Sequence, residues 1–202
     1  MDTGTHFVVG LGLAGLSQID TVVQSNPEIA TAVFIGTVLG SQAPDLDSLL
    51  RFKGNAIYVK NHRGFSHSIP AMIVWTCLIT ALLAVIFNPI PLQHVALWVG
   101  IAVVFHVFSD LFNTYGTQAG LPFTKKWIRW NIIHIFDPFI FISHLLALTL
   151  WAFRLADALF IFPALYIVLT LYYVWRTVVH FRLRRALPMK DEQYEPGDKY
   201  IL

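Results

Sequence analysis

The sequence predicts an all-α membrane protein, a polytopic bundle of about six membrane-embedded helices. Three observations predict it. Apolar residues fill 56% of the 202 positions and charged residues 13%, with a mean hydropathy of +0.61. A soluble domain needs more charge than that to cover its surface. The apolar residues gather into six runs separated by proline, glycine and polar breaks. The Lys and Arg residues collect in alternate connections between those runs, as the positive-inside rule requires.

Taken in order, residues 5–19 form a short apolar run rich in Gly10, Gly12, Ala14 and Gly15, suited to close helix packing. Asn26 and Pro27 supply a helix cap and first position, and the helix runs to about Ala43 before Pro44. Gly36 and Gly40 lie four apart within it, so the first two segments are expected to pair as a tight hairpin. Residues 45–67 read as a polar stretch. The run 69–87 then ends at Asn88-Pro89-Ile90-Pro91, and a second run, 92–112, follows. Residues 113–138 carry Lys125-Lys126-Trp127-Ile128-Arg129-Trp130, bases and tryptophans suited to the headgroup level of a bilayer. Runs 139–153 and 158–175 flank Arg154 and Asp157, and a tail follows that is basic at first, then polar. Residues 1–180 are expected to form one membrane-embedded domain and 181–202 the tail.

With six crossings starting in the cytoplasm, residues 44–68, 113–138 and the tail from Arg176 share the cytoplasmic side. They hold four, three and six basic residues, thirteen of the 14, and only Arg154 falls outside. Both termini are therefore expected to be cytoplasmic. Cys77 is alone, which excludes an internal disulfide or a thiolate zinc site. The N-terminal stretch has no basic n-region, so no cleavable signal peptide is expected.

This topology also brings the chemistry-bearing residues to one side. His6 begins the first run, Asp45 and Asp47 follow the second, and His62 and His67 precede the third. His106 and Asp110 end the fourth, and Asp137 precedes the fifth. His106 and Asp110 are four apart and share a helix face. Each piece alone has a plainer reading: a carbonyl-bonded histidine, solvated turn acids, or a capping role for Asp137. Their agreement in depth favours a metal centre. His and carboxylate donors without thiolate suit a divalent cation, zinc first, with manganese or iron as alternatives. Eight donors exceed one tetrahedral ion, so one or two ions are expected, the second sharing a bridging aspartate. Asp47 and His62 are expected at the reacting water, and Arg63 as a clamp on a phosphate. His94 and His180 lie too far away to join. His144 reads as a buried histidine bonded to a neighbouring helix.

The order Gly4-Thr5-His6, Pro44-Asp45-Leu46-Asp47, His62-Arg63-Gly64-Phe65-Ser66-His67-Ser68 and His106-Val107-Phe108-Ser109-Asp110 with Thr114 resembles the YdjM-like family of membrane-bound, metal-dependent hydrolases. The resemblance covers roughly residues 4–138. Where family members often have leucine before Pro-Asp-x-Asp, this chain has Ala43. A fainter likeness runs to zinc-dependent phospholipases C, which share a helical scaffold and a His-x3-Asp pair. Together these imply hydrolysis of a phosphoester, in a lipid or lipid-linked substrate drawn from the inner, plasma membrane. Membrane lipids are the expected partners, and nucleic acid is not. Two rival readings are a regulatory or scaffold protein with a structural metal and a metal transporter. Clustering of the donors at one face, with no ladder across the bilayer, argues against transport.

Overall fold

The computed structural model describes residues 1–186, and among them all regular structure is helical. The elements are α1 (Thr3–Leu16), α2 (Thr21–Ser25), α3 (Pro27–Gln42), α4 (Asn55–Asn61), α5 (Ile69–Ile86), α6 (Leu92–Leu111), α7 (Pro138–Ala152) and α8 (Ala158–Ala186). Six of these fall where the apolar runs predict helices. Their starts follow local chemistry. Asp2, Asn26, Ser68 and Asp137 each accept from a backbone N–H of the first turn, and proline follows at the start of α3, α5 and α7.

Four stretches are long and apolar enough to cross a membrane among the described residues: Pro27–Lys53, Ile69–Ile86, Leu92–Leu111 and Ala158–Ala186. At 14 and 15 residues, α1 and α7 fall short of the roughly 20 that a perpendicular crossing needs. Six full crossings are thus an expectation for which the helix lengths supply four. The tail from residue 187 lies outside the described residues, and α8 runs on to Ala186, past the expected start of that tail.

Residues 45–67 are not an open loop. A 3₁₀ stretch, Ala43–Lys53, continues from α3, and α4 folds back over it. Charges interrupt Leu46, Leu49, Leu50, Phe52 and Ile57, so this short amphipathic roof has no apolar run to announce it.

α6 packs chiefly on α3 and α5 and more lightly on α1, while α1 reaches across to α7 and α8. Val95, Trp98, Val99 and Val103 of α6 join one buried cluster with Val23, Val33, Ile79 and Leu83 from α2, α3 and α5. Ala102 joins a second cluster with Val9, Leu13, Ile140 and Phe162 from α1, α7 and α8. α1 packs on α3 as the expected hairpin. Gly10 allows this, because a Cβ there would stand 2.3 Å from Ser41 Oγ and 3.0 Å from the Val38 backbone. This antiparallel arrangement brings the start of α1, the end of α3, the approach to α5 and the end of α6 to one end of the bundle. At the other end, Asp20 accepts hydrogen bonds from His94 Nδ1 (2.7 Å) and Trp98 Nε1 (3.1 Å).

Candidate metal centre

Four side chains from three segments meet where those helix ends converge. Asp45 comes from the 3₁₀ stretch after α3, His67 from the turn before α5, and His106 and Asp110 from the last turns of α6. One donor atom from each lies within 4.8 Å of the other three. His67 Nε2 is 3.6 Å from Asp45 Oδ1, 3.3 Å from Asp110 Oδ2 and 3.3 Å from His106 Nε2. His106 Nε2 is 3.6 Å from Asp45 Oδ1 and 3.7 Å from Asp110 Oδ2. A tetrahedral zinc with bonds of about 2.0–2.1 Å has donor–donor edges of about 3.3–3.4 Å.

Hydrogen bonding fixes what these atoms present. His106 Nδ1 donates to the Ser41 carbonyl at 2.6 Å, which leaves Nε2 with its lone pair inward. Ser66 Oγ gives its one proton to Asp47 Oδ2 at 2.6 Å, so His67 Nδ1, 2.9 Å away, donates to Ser66. His67 Nε2 then also carries a lone pair inward. Asp45 Oδ1 and Asp110 Oδ2 are buried and have no hydrogen-bond partner. Arg63 Nε stands 3.2 Å from Asp110 Oδ2 but out of hydrogen-bonding line. Four acceptors therefore face one another without a proton between them, which is costly in a buried site and fits a cation. Burial, with His106 next in weight, holds the His67 imidazole well below its ordinary pKa and keeps it in the neutral form that a metal needs.

Asp45, Asp47 and His62 form a second group with donor atoms within 4.8 Å of one another, and Asp45 belongs to both. This outer group is half-buried, and Asp45 and His62 line a polar cavity of about 560 Å³ with Arg51, Tyr58, Arg63 and Tyr115. His62 Nδ1 pairs with Asp47 Oδ1 at 2.7 Å. Asp47 Oδ2 accepts from the backbone N–H of Arg63 at 2.9 Å, which holds that residue at φ +62°.

The other predicted residues divide. His6 is fully buried, stacks on His106 with ring centroids 3.7 Å apart, and has Nε2 3.3 Å from Asp110 Oδ1. The Met1 amino nitrogen contacts the same Asp110 oxygen and lies 2.9 Å from His6 Nε2. Arg63 departs from its expected role as phosphate clamp. It is 4% exposed, Nη1 donates to Asn113 Oδ1 (3.0 Å) and Nη2 to the Met1 carbonyl (2.9 Å), so its fork is filled by protein oxygens. Asp137 stands outside both groups. Its Oδ1 caps α7 through Phe139 and Ile140, and its Oδ2 accepts from Tyr172 on α8 at 2.8 Å. His144 donates to the Ile140 carbonyl of its own helix rather than a neighbour's.

Sequence reasoning missed Asn113, which donates to Asp110 Oδ1 at 3.2 Å and receives Arg63. Its signal was its position three residues after Asp110 and seven after His106, on one face of the helix end.

The chain is 49% identical over 187 residues to a protein of Bacillus subtilis (strain 168) titled "Uncharacterized protein YfhP". The match takes in 93% of this chain and 57% of that relative's length. No solved structure matches the chain. The family model for the YdjM inner membrane protein matches residues 1–183, nearly the whole sequence and every residue of both donor groups, and the chain belongs to that family.

Proposed function

We propose that this protein is an integral-membrane, metal-dependent hydrolase whose site faces the cytoplasm and cleaves a phosphoester in a lipid or lipid-linked substrate. The observation that carries the reading is the convergence in a buried space of donor atoms from Asp45, His67, His106 and Asp110 within 4.8 Å of one another, with the two carboxylate oxygens left without a hydrogen-bond partner. These residues would hold an inner cation with protein atoms alone. Asp45, Asp47 and His62 would hold an outer one at the edge of the cavity that Asp45 and His62 line, where three donors leave room for water and substrate, as catalytic sites do. A divalent cation bound there supplies Lewis acidity toward a phosphoryl oxygen and a more acidic water.

The protein's own groups do the rest. Arg63 places its charge beside Asp110 and orients that carboxylate, with Asn113 as its brace. Arg51, exposed at the cavity rim and hydrogen-bonded to Tyr58 at 3.0 Å, is the guanidinium placed to meet an arriving anion. Ser66 links the two groups by orienting Asp47 and His67 together.

A structural metal in a non-catalytic scaffold is the second reading, favoured by how completely protein encloses the inner group. Metal analysis of detergent-purified protein separates the two. Hydrolysis predicts two zinc per chain, one of them lost in Asp47→Asn, and chelator-sensitive cleavage in a screen of phosphoesters and lipids. One zinc per chain with no cleavage across that screen would establish the scaffold.

A further inference from the structure

Beside the polar cavity lies a second and larger one of about 920 Å³. The two meet at the Asp45-Leu46-Asp47 segment: Asp45 lines the polar cavity, Asp47 the second, and Leu46 both. The second cavity is mostly apolar. Its walls are Leu49, Leu50 and Ile57 of the amphipathic roof and Val74 and Trp75 of α5, and α5 is a candidate membrane span. Val74 is 53% exposed, so the cavity opens at the face of the bundle that meets acyl chains. Trp75 Nε1 donates to the Ser66 carbonyl at 3.3 Å, which ties that wall to the metal-site turn. Lys53 and Lys60 also line this cavity, and both are exposed to solvent.

We propose that this cavity takes an acyl chain of an anionic membrane lipid, placing the headgroup linkage beside Asp47. An apolar trough of this size is within the range of about 300–1,000 Å³ that holds single ligands. Two lysines and no carboxylate but Asp47 line it, which selects a negative headgroup over a zwitterionic one. The proposal deepens the hydrolase reading by naming its substrate class, and it rests on that reading for the chemistry at Asp47.

The test uses full-length protein in phosphatidylcholine nanodiscs carrying a trace of phosphatidylglycerol or phosphatidylcholine with a diazirine near the chain end. Labelled peptides are mapped by mass spectrometry, and zinc is counted in the same sample. Peptides holding Leu49, Leu50, Ile57 and Trp75 should be labelled well above those of the exposed face of α8. Phosphatidylglycerol should label them on the order of tenfold more than phosphatidylcholine, through the two lysines. Leu50→Trp and, independently, Val74→Trp should abolish the enrichment while zinc content stays that of the wild type. Equal labelling of cavity and α8 peptides, or equal labelling by the two lipids, overturns the proposal. Enriched labelling in a protein that binds no zinc supports the lipid cavity and refutes the hydrolase reading. Full zinc without enrichment does the reverse, sparing the hydrolase and pointing it to water-soluble phosphoesters.

Discussion

At the scale of single residues, Asp110 bears the most. One oxygen faces the inner donors, the other faces His6 and the Met1 amine, and Arg63 supplies its counter-charge. Asp110→Asn should therefore lower zinc affinity by more than about 100-fold, while Ser66→Ala, which removes a support of His67 and Asp47 but no donor of the inner group, should cost about 10–100-fold. Zinc titration with a competing chelator measures both. Arg63→Gln discriminates between two roles. Removing one partner of a buried pair should cost about 3–5 kcal/mol of stability, whereas loss of a substrate clamp would raise KM and leave thermal stability intact. Most of the candidate ligands were legible in the sequence, because His and Asp are rare in and beside apolar membrane runs and several of them come in close pairs: Asp45 and Asp47, His62 and His67, His106 and Asp110. The role of Arg63 was not, since its partner lies 47 positions further along the chain and only packing brings the two together. Asp137 misled for the opposite reason. A carboxylate before Pro-Phe at a helix start reads alike whether it caps or coordinates.

At the scale of elements, the contact of α1 with α3 ties packing to the site. Gly10→Ala drives a methyl group into Ser41 and the Val38 backbone, and the Ser41 carbonyl is what holds His106 Nδ1. The substitution should cost about 1–3 kcal/mol and weaken zinc binding as well. Gly100→Ala is the contrasting case. Its new Cβ meets only Thr76 at 3.5 Å, so the change should be neutral or stabilising by up to about 1 kcal/mol. Melting curves in one detergent compare the pair.

The far end of the bundle gives a pH signature. Burial pushes the Asp20 carboxyl up, but hydrogen bonds from His94, Trp98 and the Val22 N–H outweigh it and leave the pKa below its ordinary value. A carboxyl with a lowered folded pKa contributes stability above its unfolded pKa and loses it as pH falls through the folded one. The loss should begin below about pH 4, and Asp20→Asn should remove that part of the acid dependence. The six main helices were legible from apolar runs and caps. The roof over the site was not, because its amphipathic turns are too short to show a period.

For the whole molecule, orientation is the open consequence of charge. In a Cys77→Ser background, Lys126→Cys should resist a membrane-impermeant maleimide in intact cells, and Arg154→Cys should react. The opposite pattern would put the donor groups outside. Both positions are exposed, so reactivity reports sidedness rather than burial. α8 fits the same picture. At 29 residues it is about 44 Å long, more than the roughly 30 Å of hydrocarbon that a crossing spans. A crossing would leave its last turns, with Arg182, Arg184 and Arg185, beyond the hydrocarbon, and the maleimide pattern above is expected to put them on the cytoplasmic side.

The depth profile of the inner donors sets how fast an ion can come and go. The side chains of His67, His106 and Asp110 are sealed at 0% exposure, while Asp45 keeps 13%. Any competitor must therefore enter past Asp45, through a mouth where Arg51 stacks on Tyr58 at 4.3 Å. Arg51→Ala should speed the stripping of zinc by EDTA while leaving the equilibrium constant nearly untouched. Stopped-flow release, read beside a titration, would tell a propped door from a weakened grip.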